Sequence, residues 1–204
     1  MSPSVSARST TLAPAVVAGL VLALVAPVSP ASSWAARAPA PAWATTLVRL
    51  YAERLATADT VAAAKWGTDR PIDDPARERR ILAGAAERAG ALGVSPALAT
   101  RVLTDQIEAG KLVQRGLYRS WERHSAQRPR TRPDLARTVR PRLDRVDAEL
   151  LSALAAAGRG PAGERCTALM ARAATARAAA DRLDALHRLG LARAREHTCA
   201  GGAG

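Results

Sequence analysis

The chain is poor in aromatic residues, and it contains no phenylalanine and no asparagine among its 204 residues. Aromatic residues make up 3% of the sequence, whereas hydrophobic residues make up 48%, most of them alanine, leucine and valine. Strand-rich cores favour β-branched and aromatic side chains, so this composition favours helices. The high apolar content excludes an intrinsically disordered chain, and the length is typical of one domain.

Acidic residues are also scarce. The sequence has 30 Lys and Arg residues against 18 Asp and Glu residues, which gives a formal charge of +12. Such a balance fits an anionic partner: nucleic acid, a membrane surface or a small acidic substrate. The charge alone does not distinguish among these three.

The common motifs of hydrolytic and phosphate-binding enzymes are missing as well. The sequence has no P-loop, no G-x-S-x-G and no H-E-x-x-H, and its three histidines are scattered. Residues 158–163 match G-x-G-x-x-G, but they follow a helical pattern, and Pro161 lacks the N–H that a phosphate-binding loop would use. We interpret this segment as a turn.

The N-terminus carries the pattern of a signal peptide over residues 1–35. Arg8 precedes an apolar stretch over residues 12–28, and residues 33–35 form a small-x-small cleavage site. The apolar stretch is shorter than the ~20 residues of a membrane-spanning helix. We therefore expect a secreted or periplasmic protein with no stable membrane association after cleavage; the alternative is an uncleaved N-terminal anchor. Residues 36–42 are expected to form a disordered leader.

Only two cysteines are present, Cys166 and Cys199. In an exported protein they are expected to form a disulfide, which would close a loop of about 33 residues and contribute about 3–4 kcal/mol in the loop-entropy model. His197 lies close enough to Cys199 in the sequence for a metal site, but no fourth ligand is evident, and we expect no metal.

Apolar residues at helical spacing predict a single-domain, all-α bundle of five to six helices over residues 43–204. Residues 43–121 form a catalytic core in this prediction, and residues 122–204 form a C-terminal helical half that contains the disulfide. The Pro-rich segment 122–133 is interpreted as a loop. The individual helices are predicted over 43–66, from Asp74 to 92, over 95–121, from Arg140 onward, and over 164–197.

Two cations interrupt the apolar face of the first predicted helix, Arg54 and Lys65. They are eleven residues apart, which places them within about 20° of the same direction and about 16.5 Å apart along the axis. Gln114 lies on the inner face of the third helix, with Gly110 one turn before it. This arrangement predicts a site for a small dianion. The alternative is that each group makes a local contact, with Arg54 paired to Glu53 or Asp59.

These residues resemble the all-helical, AroQ-type chorismate mutases, and most closely their secreted subclass. The spacing of the resembling motifs holds without a gap from Glu53 to Gln114. The signal peptide, the additional C-terminal half and the cysteine pair also fit the secreted subclass. The resembling segments are residues 52–55, 58–59, 61–66, 70–74, 77–79, 100–103 and 105–107.

The resemblance implies rearrangement of chorismate to prephenate, the branch of aromatic amino acid biosynthesis toward Phe and Tyr, without a cofactor. Arg54 resembles a carboxylate-binding arginine, and Lys65 resembles the lysine that contacts a carboxylate and the ether oxygen. Gln114 matches the second donor to that oxygen. We therefore expect Arg54, Lys65 and Gln114 to be catalytic. The expected substrate-binding residues are Arg54, Lys65, Asp74, Arg77, Glu78, Gly110, Gln114 and Arg140.

Two positions in this correspondence remain open. The family's further arginine follows the Pro-rich loop, and Arg140 fits best, with Arg137 and Arg142 as alternatives. Relatives often have Ser or Thr at the position of Gly110, so either water replaces the hydroxyl or binding weakens by about 1 kcal/mol.

Two other functions compete with this hypothesis. One is a basic helical module that binds nucleic acid or an anionic surface, which would carry its cations on an exposed stripe. The other is a degenerate mutase domain that binds an anion without turnover. We expect chorismate as the partner, no nucleic acid, and a homodimer as in many family members.

Overall fold

The regular structure of the described residues is entirely helical, which confirms the predicted all-α class. The computed structural model describes residues 39–158 and 162–200, so the predicted signal peptide lies outside the described residues. None of the described helices is long and apolar enough to cross a membrane. The helices are α1 (Ala42–Leu55), α2 (Ala58–Lys65), α3 (Pro75–Ala91), α4 (Pro96–Arg123), α5 (Leu135–Thr138), α6 (Arg140–Ala157), α7 (Gly163–Ala180) and α8 (Ala185–Ala194), with a 3₁₀ turn at Ser125–Gln127.

Helix α3 begins at the N-cap that the sequence predicts. Asp74 Oδ1 accepts a hydrogen bond from the Arg77 N–H at 3.0 Å, and Pro75 occupies the first turn, where its missing N–H costs no helical bond. Helix α4 begins in the same way at Ser95, and α6 begins at Arg140, as predicted. These starts are determined locally, because a cap involves residues within one turn of each other.

The predicted helix over residues 43–66 is present as two consecutive segments, α1 and α2. Thr57 causes the interruption: its Oγ1 donates to the Arg54 carbonyl at 2.8 Å, and its N–H donates to the same oxygen at 3.1 Å. A hydroxyl that bonds to a carbonyl of the preceding turn competes with the helical pattern. Ala56 and Thr57 nevertheless keep right-handed helical dihedral angles.

The prediction of one helix over residues 164–197 is wrong, and the disulfide explains why. On a single straight helix, Cys166 and Cys199 would lie about 50 Å apart. In the structure they are bonded, with 5.6 Å between their Cα atoms, which confirms the predicted disulfide. The chain turns between α7 and α8, where Arg182 has a φ of 51° and Asp184 caps α8. Leu189, on the second of these two helices, is 61% exposed.

Helix α8 packs closely against α4 and α1 because two glycines leave room for it. A Cβ atom at Gly116 would overlap Leu186, and one at Gly190 would lie 2.8 Å from Val113 Cγ2 and 3.0 Å from Leu55 Cδ1. Real Cβ atoms essentially never lie within 3.0 Å of another residue's atoms, so a larger residue at Gly116 or Gly190 would force Leu186 or Val113 to shift. The close approach brings the C-terminal half against the helices that carry Arg54 and Gln114.

Polar contacts of two buried side chains attach the C-terminal residues to α4. Gln106 Nε2 donates to the Ala194 carbonyl at 2.6 Å, and the Asp105 carboxylate accepts from the His197 N–H at 2.7 Å. The His197 ring also contacts Asp105, and Cys199 is bonded to Cys166. His197 and Cys199, the two neighbouring residues of metal-ligand type, therefore both have protein partners. Through these contacts the C-terminal residues stabilise the position of α4.

The disulfide is expected to contribute substantially to stability. We predict that the Cys166→Ser/Cys199→Ser double variant loses about 3–4 kcal/mol in the free energy of unfolding, because the unfolded chain regains the entropy of the open loop. Urea denaturation followed by circular dichroism measures this difference. Reducing the wild-type protein with dithiothreitol should produce a similar loss and should leave the variant unchanged. Equal unfolding midpoints for the oxidised wild type and the variant would contradict the prediction.

Candidate active site

One cavity of about 530 Å³ lies among α1, α2, α3, α4, α5 and α6. Its volume is within the range of small-molecule sites, roughly 300–1,000 Å³. Seven of the eight predicted substrate-binding residues line it, whereas Gly110 does not. The seven are Arg54, Lys65, Asp74, Arg77, Glu78, Gln114 and Arg140.

The lining of this cavity is cationic. Six basic side chains border it, against three carboxylates, those of Asp69, Asp74 and Glu78. Apolar side chains such as Val61, Ile81 and Ile107 fill the remaining wall. A cavity of this composition favours a small anion that also carries apolar surface. The basic residues are Arg54, Lys65, Arg70, Arg77, Lys111 and Arg140.

Among the predicted substrate-binding residues, Arg54 and Gln114 are the most deeply buried, each with 7% exposure. Arg54 Nε donates to Asp147 Oδ1 at 2.7 Å, and Arg54 Nη1 donates to the Gln106 carbonyl at 3.1 Å. The partner is therefore neither Glu53 nor Asp59. Because a guanidinium has five N–H groups, hydrogens remain that can donate to a ligand in the cavity.

Lys65 lies at the end of α2, with its ammonium held by backbone carbonyls. Lys65 Nζ donates to the carbonyls of Pro71 at 2.8 Å and Ile72 at 3.2 Å, which leaves one N–H of the three. Burial lowers the pKa of Lys65 below its ordinary value, and the nearby Asp74 carboxylate partly opposes this effect. Two carbonyls do not neutralise the ammonium, so a nearby anion would stabilise its charged form.

Gln114 lies on α4 with its amide partly bonded. Its Nε2 donates to the Gly110 carbonyl at 3.1 Å, and its Oε1 is buried without a hydrogen-bond partner among the described residues. A buried polar atom without a partner is uncommon in a folded protein and often marks a place where a ligand or water binds. The second Nε2 hydrogen is available as a donor.

Arg77 and Arg140 differ from Arg54 in having no side-chain partner within residues 39–158 and 162–200. Both line the cavity. Of the two alternatives to Arg140, Arg142 Nε lies 3.6 Å from Glu53 Oε1, and neither Arg142 nor Arg137 is among the lining residues. The geometry therefore favours Arg140 as the arginine that follows the Pro-rich loop.

Asp74 and Glu78 form a reciprocal cap at the start of α3. Glu78 Oε1 accepts from the Asp74 N–H at 3.1 Å, while the Asp74 carboxylate accepts from the Arg77 N–H. The backbone N–H of Asp74 is thus already bonded. The Glu78 carboxylate keeps lone pairs for a hydroxyl donor.

Sequence reasoning did not assign Arg70 or Lys111, which line the cavity, or Asp147, which holds Arg54 in place. Lys111 is one of only two lysines in a chain whose other basic residues are arginines, and the second is Lys65. It precedes Gln114 by three residues, which places the two on one face of α4. Asp147 follows Arg140 by seven residues, or two helical turns, so its direction toward the site could have been inferred.

Known proteins that are similar in sequence to this chain are chorismate mutases, which agrees with the geometry of the cavity. The family model described as chorismate mutase type II matches residues 44–115. A secreted chorismate mutase of Mycobacterium tuberculosis is 33% identical over 192 residues, covering 94% of this chain and 94% of that protein. A secreted chorismate mutase of Mycolicibacterium smegmatis is 32% identical over 109 residues, covering 53% of this chain and 60% of that protein.

Two solved structures that match this fold are also chorismate mutases. The enzyme of Burkholderia phymatum superposes with a TM-score of 0.72 and 37% identity, covering 76% of this chain and 94% of that one. The enzyme of Burkholderia thailandensis superposes with a TM-score of 0.73 and 36% identity, covering 78% and 100%. The predicted family is therefore confirmed: this chain belongs to the chorismate mutases of type II, the all-helical class, with secreted mutases among its relatives.

Proposed function

We propose that this chain is an exported chorismate mutase, which converts chorismate to prephenate by a one-step Claisen rearrangement. The observation that carries the proposal is the single cavity in which Arg54, Lys65, Arg77, Gln114 and Arg140 meet. Chorismate has two carboxylates, and the rearrangement requires it to fold into a compact chair. A site of this kind accelerates the reaction by holding that conformation and by donating to the oxygen on which charge develops.

The arginines are the proposed carboxylate ligands. Arg54 is held rigidly by Asp147 and presents its remaining N–H groups from the cavity wall. Arg77 and Arg140 have no protein acceptor among the described residues, so binding a carboxylate would cost them no existing ion pair. Guanidinium groups bind carboxylates through two parallel hydrogen bonds, which orients as well as attracts them.

Lys65 and Gln114 are the proposed donors to the ether oxygen. As the C–O bond lengthens, negative charge grows on that oxygen, and a donor placed there stabilises the transition state more than the substrate. Each residue keeps one N–H beyond its bonds to the backbone. Glu78 is the proposed acceptor for the substrate hydroxyl, with the Asp74 backbone beside it.

Export is proposed from the N-terminal pattern over residues 1–35, with residues 43–204 as the mature mutase domain. The disulfide supports this, because disulfides persist in oxidising compartments such as the periplasm and the exterior. Two relatives carry the word secreted in their names. Arg140, the arginine that follows the Pro-rich loop, lines the cavity together with Arg54 and Lys65 of the same chain, which supports a site built within one chain.

Turnover of chorismate by the purified mature protein tests the proposal directly. We expect the ultraviolet absorbance of chorismate to disappear with wild-type protein, and Lys65→Ala to lower kcat by about 10²–10³, the typical effect of removing one donor to a developing oxyanion. Absence of wild-type turnover, with the anion still bound, would favour a degenerate domain. A Lys65→Ala variant as fast as the wild type would refute the assigned role.

The pH profile of kcat/KM should have an alkaline limb that belongs to Lys65. Burial lowers the pKa of this ammonium, so the donor is lost as the pH rises through a value below the ordinary 10.5. In Lys65→Arg the charge persists above pH 12, and the limb should move out of the measurable range. Gln114 does not titrate, so Gln114→Ala should keep the limb; its loss in that variant would contradict the assignment.

Gly110→Ser should leave KM unchanged, because Gly110 does not border the cavity. A Cβ atom there would meet only Gln114 Nε2 at 3.9 Å, an ordinary contact, so the variant should fold. Gly110→Ala is the matched control: it should raise the free energy of unfolding by about 0.5–1 kcal/mol and also leave KM unchanged. A KM about fivefold lower for the Ser variant alone, the effect of one hydrogen bond of about 1 kcal/mol, would contradict the prediction and place this position in contact with the substrate.

A further inference from the structure

Lys111 holds three carboxylates together at one side of the cavity. Its Nζ lies 3.1 Å and 3.0 Å from the two oxygens of Glu78, 3.1 Å from Asp73 Oδ1 and 2.7 Å from Glu108 Oε1. The side chain is buried, at 8% exposure. Burial alone would disfavour the charge, but the carboxylates of Glu108, Glu78 and Asp73 raise the pKa of Lys111 above its ordinary value. The ammonium therefore stays protonated throughout the working pH range.

This arrangement leaves Lys111 without a free donor for a substrate. An ammonium has three N–H groups, and three carboxylates contact this one. A substrate carboxylate would also meet three negative charges around Nζ. Although Lys111 borders the cavity, its contacts are with the protein.

Through Asp73, Lys111 is joined to the segment between α2 and α3. Arg115, one turn further along α4, donates from Nη2 to both Asp73 oxygens at 2.7 Å. Helix α4 thus holds this carboxylate from two points. The residue directly before Asp73 is Ile72, whose carbonyl, with that of Pro71, accepts from Lys65 Nζ.

The direction of the remaining Lys65 N–H follows from these two carbonyls. The three hydrogens of an ammonium are tetrahedrally arranged, so two bonds to the backbone determine where the third points. If residues 71–73 move, the donor to the ether oxygen moves as well. A displacement of 1 Å at a catalytic group can cost about a hundredfold in rate.

We propose that Lys111 is a positioning residue of the mutase site, which acts through Asp73 and the carbonyls of Pro71 and Ile72 to aim the Lys65 ammonium. The inference rests on the proposed function. It gives a role to the second lysine of the chain, on the helix that also carries Gln114.

A double-mutant cycle between Lys111 and Lys65 tests this mechanism. Lys111→Met should lower kcat at least tenfold with KM within about threefold of the wild type. In a Lys65→Ala background the same substitution should change kcat less than twofold, because the group through which it acts is gone. A residue that merely supported the fold would lower the activity equally in both backgrounds.

Asp73→Asn provides a second variant in case Lys111→Met does not fold. The Asp73 side chain is 51% exposed, and Lys111 keeps Glu78 and Glu108 as partners, so the substitution leaves no buried charge without a partner. It should reproduce the loss in kcat and the dependence of that loss on Lys65. Glu108→Gln is the matched control: it also removes a carboxylate from Lys111, but Glu108 lies on α4 and does not contact residues 71–73. We expect its kcat to stay within twofold of the wild type.

The outcomes separate the inference from the function on which it rests. Equal losses in both backgrounds, or a raised KM with unchanged kcat for Lys111→Met, would overturn the positioning role, the second result indicating that Lys111 acts on substrate binding, through Glu78 or directly. Wild-type protein that does not convert chorismate would overturn the proposed function and the inference together. Wild-type turnover with a non-additive cycle supports both.

Discussion

A guanidinium can be buried only if a negative group or several carbonyls replace the water it loses, and Arg54 meets this condition through Asp147. The Nε–Oδ1 distance is 2.7 Å, and the Gln106 carbonyl accepts a second N–H at 3.1 Å. Three helices, α1, α4 and α6, therefore meet at one side chain. The cavity lies where these helices meet, and the position of Arg54 in its wall depends on the ion pair with Asp147.

The cations around the cavity differ in how they are held. Arg54, Lys65 and Lys111 have protein acceptors, and their positions are set before any ligand arrives. Arg77 and Arg140 have none among the described residues and stay available for a carboxylate. Such a division suits a reaction without a covalent intermediate. Groups that the protein already holds can fix the conformation of a substrate, and groups without a partner can bind its carboxylates.

The C-terminal half serves the site by supporting α4 and α1. Gln106 and Asp105 bond to residues of the C-terminal segment, on the helix whose other residues include Lys111 and Gln114. Gly116 and Gly190 allow α8 to approach closely enough for these bonds to form. The disulfide then joins the start of α7 to the end of the chain's described part. Residues far from the cavity thus determine how firmly its donors are placed.

Much of the fold was accessible from local patterns. Capping residues placed the starts of α3 and α4, and Pro141 in the first turn placed the start of α6. Helical periodicity directed Arg54 and Gln114 inward. These signals act within a few turns of one helix. The turn between α7 and α8 was missed, although a disulfide between Cys166 and Cys199 already requires one. The short helix α5 lies beside a Pro-rich segment whose local signal is that of a loop.

The spacing along each helix was enough to direct Arg54 and Gln114 inward, because helix geometry relates spacing to direction. The pairing of the charges could be seen only once the helices were packed. Arg54 and Asp147 are 93 residues apart, and Lys111 meets Glu78 across 33 residues. Electrostatic attraction depends on distance in space and on burial, and neither can be obtained from sequence separation.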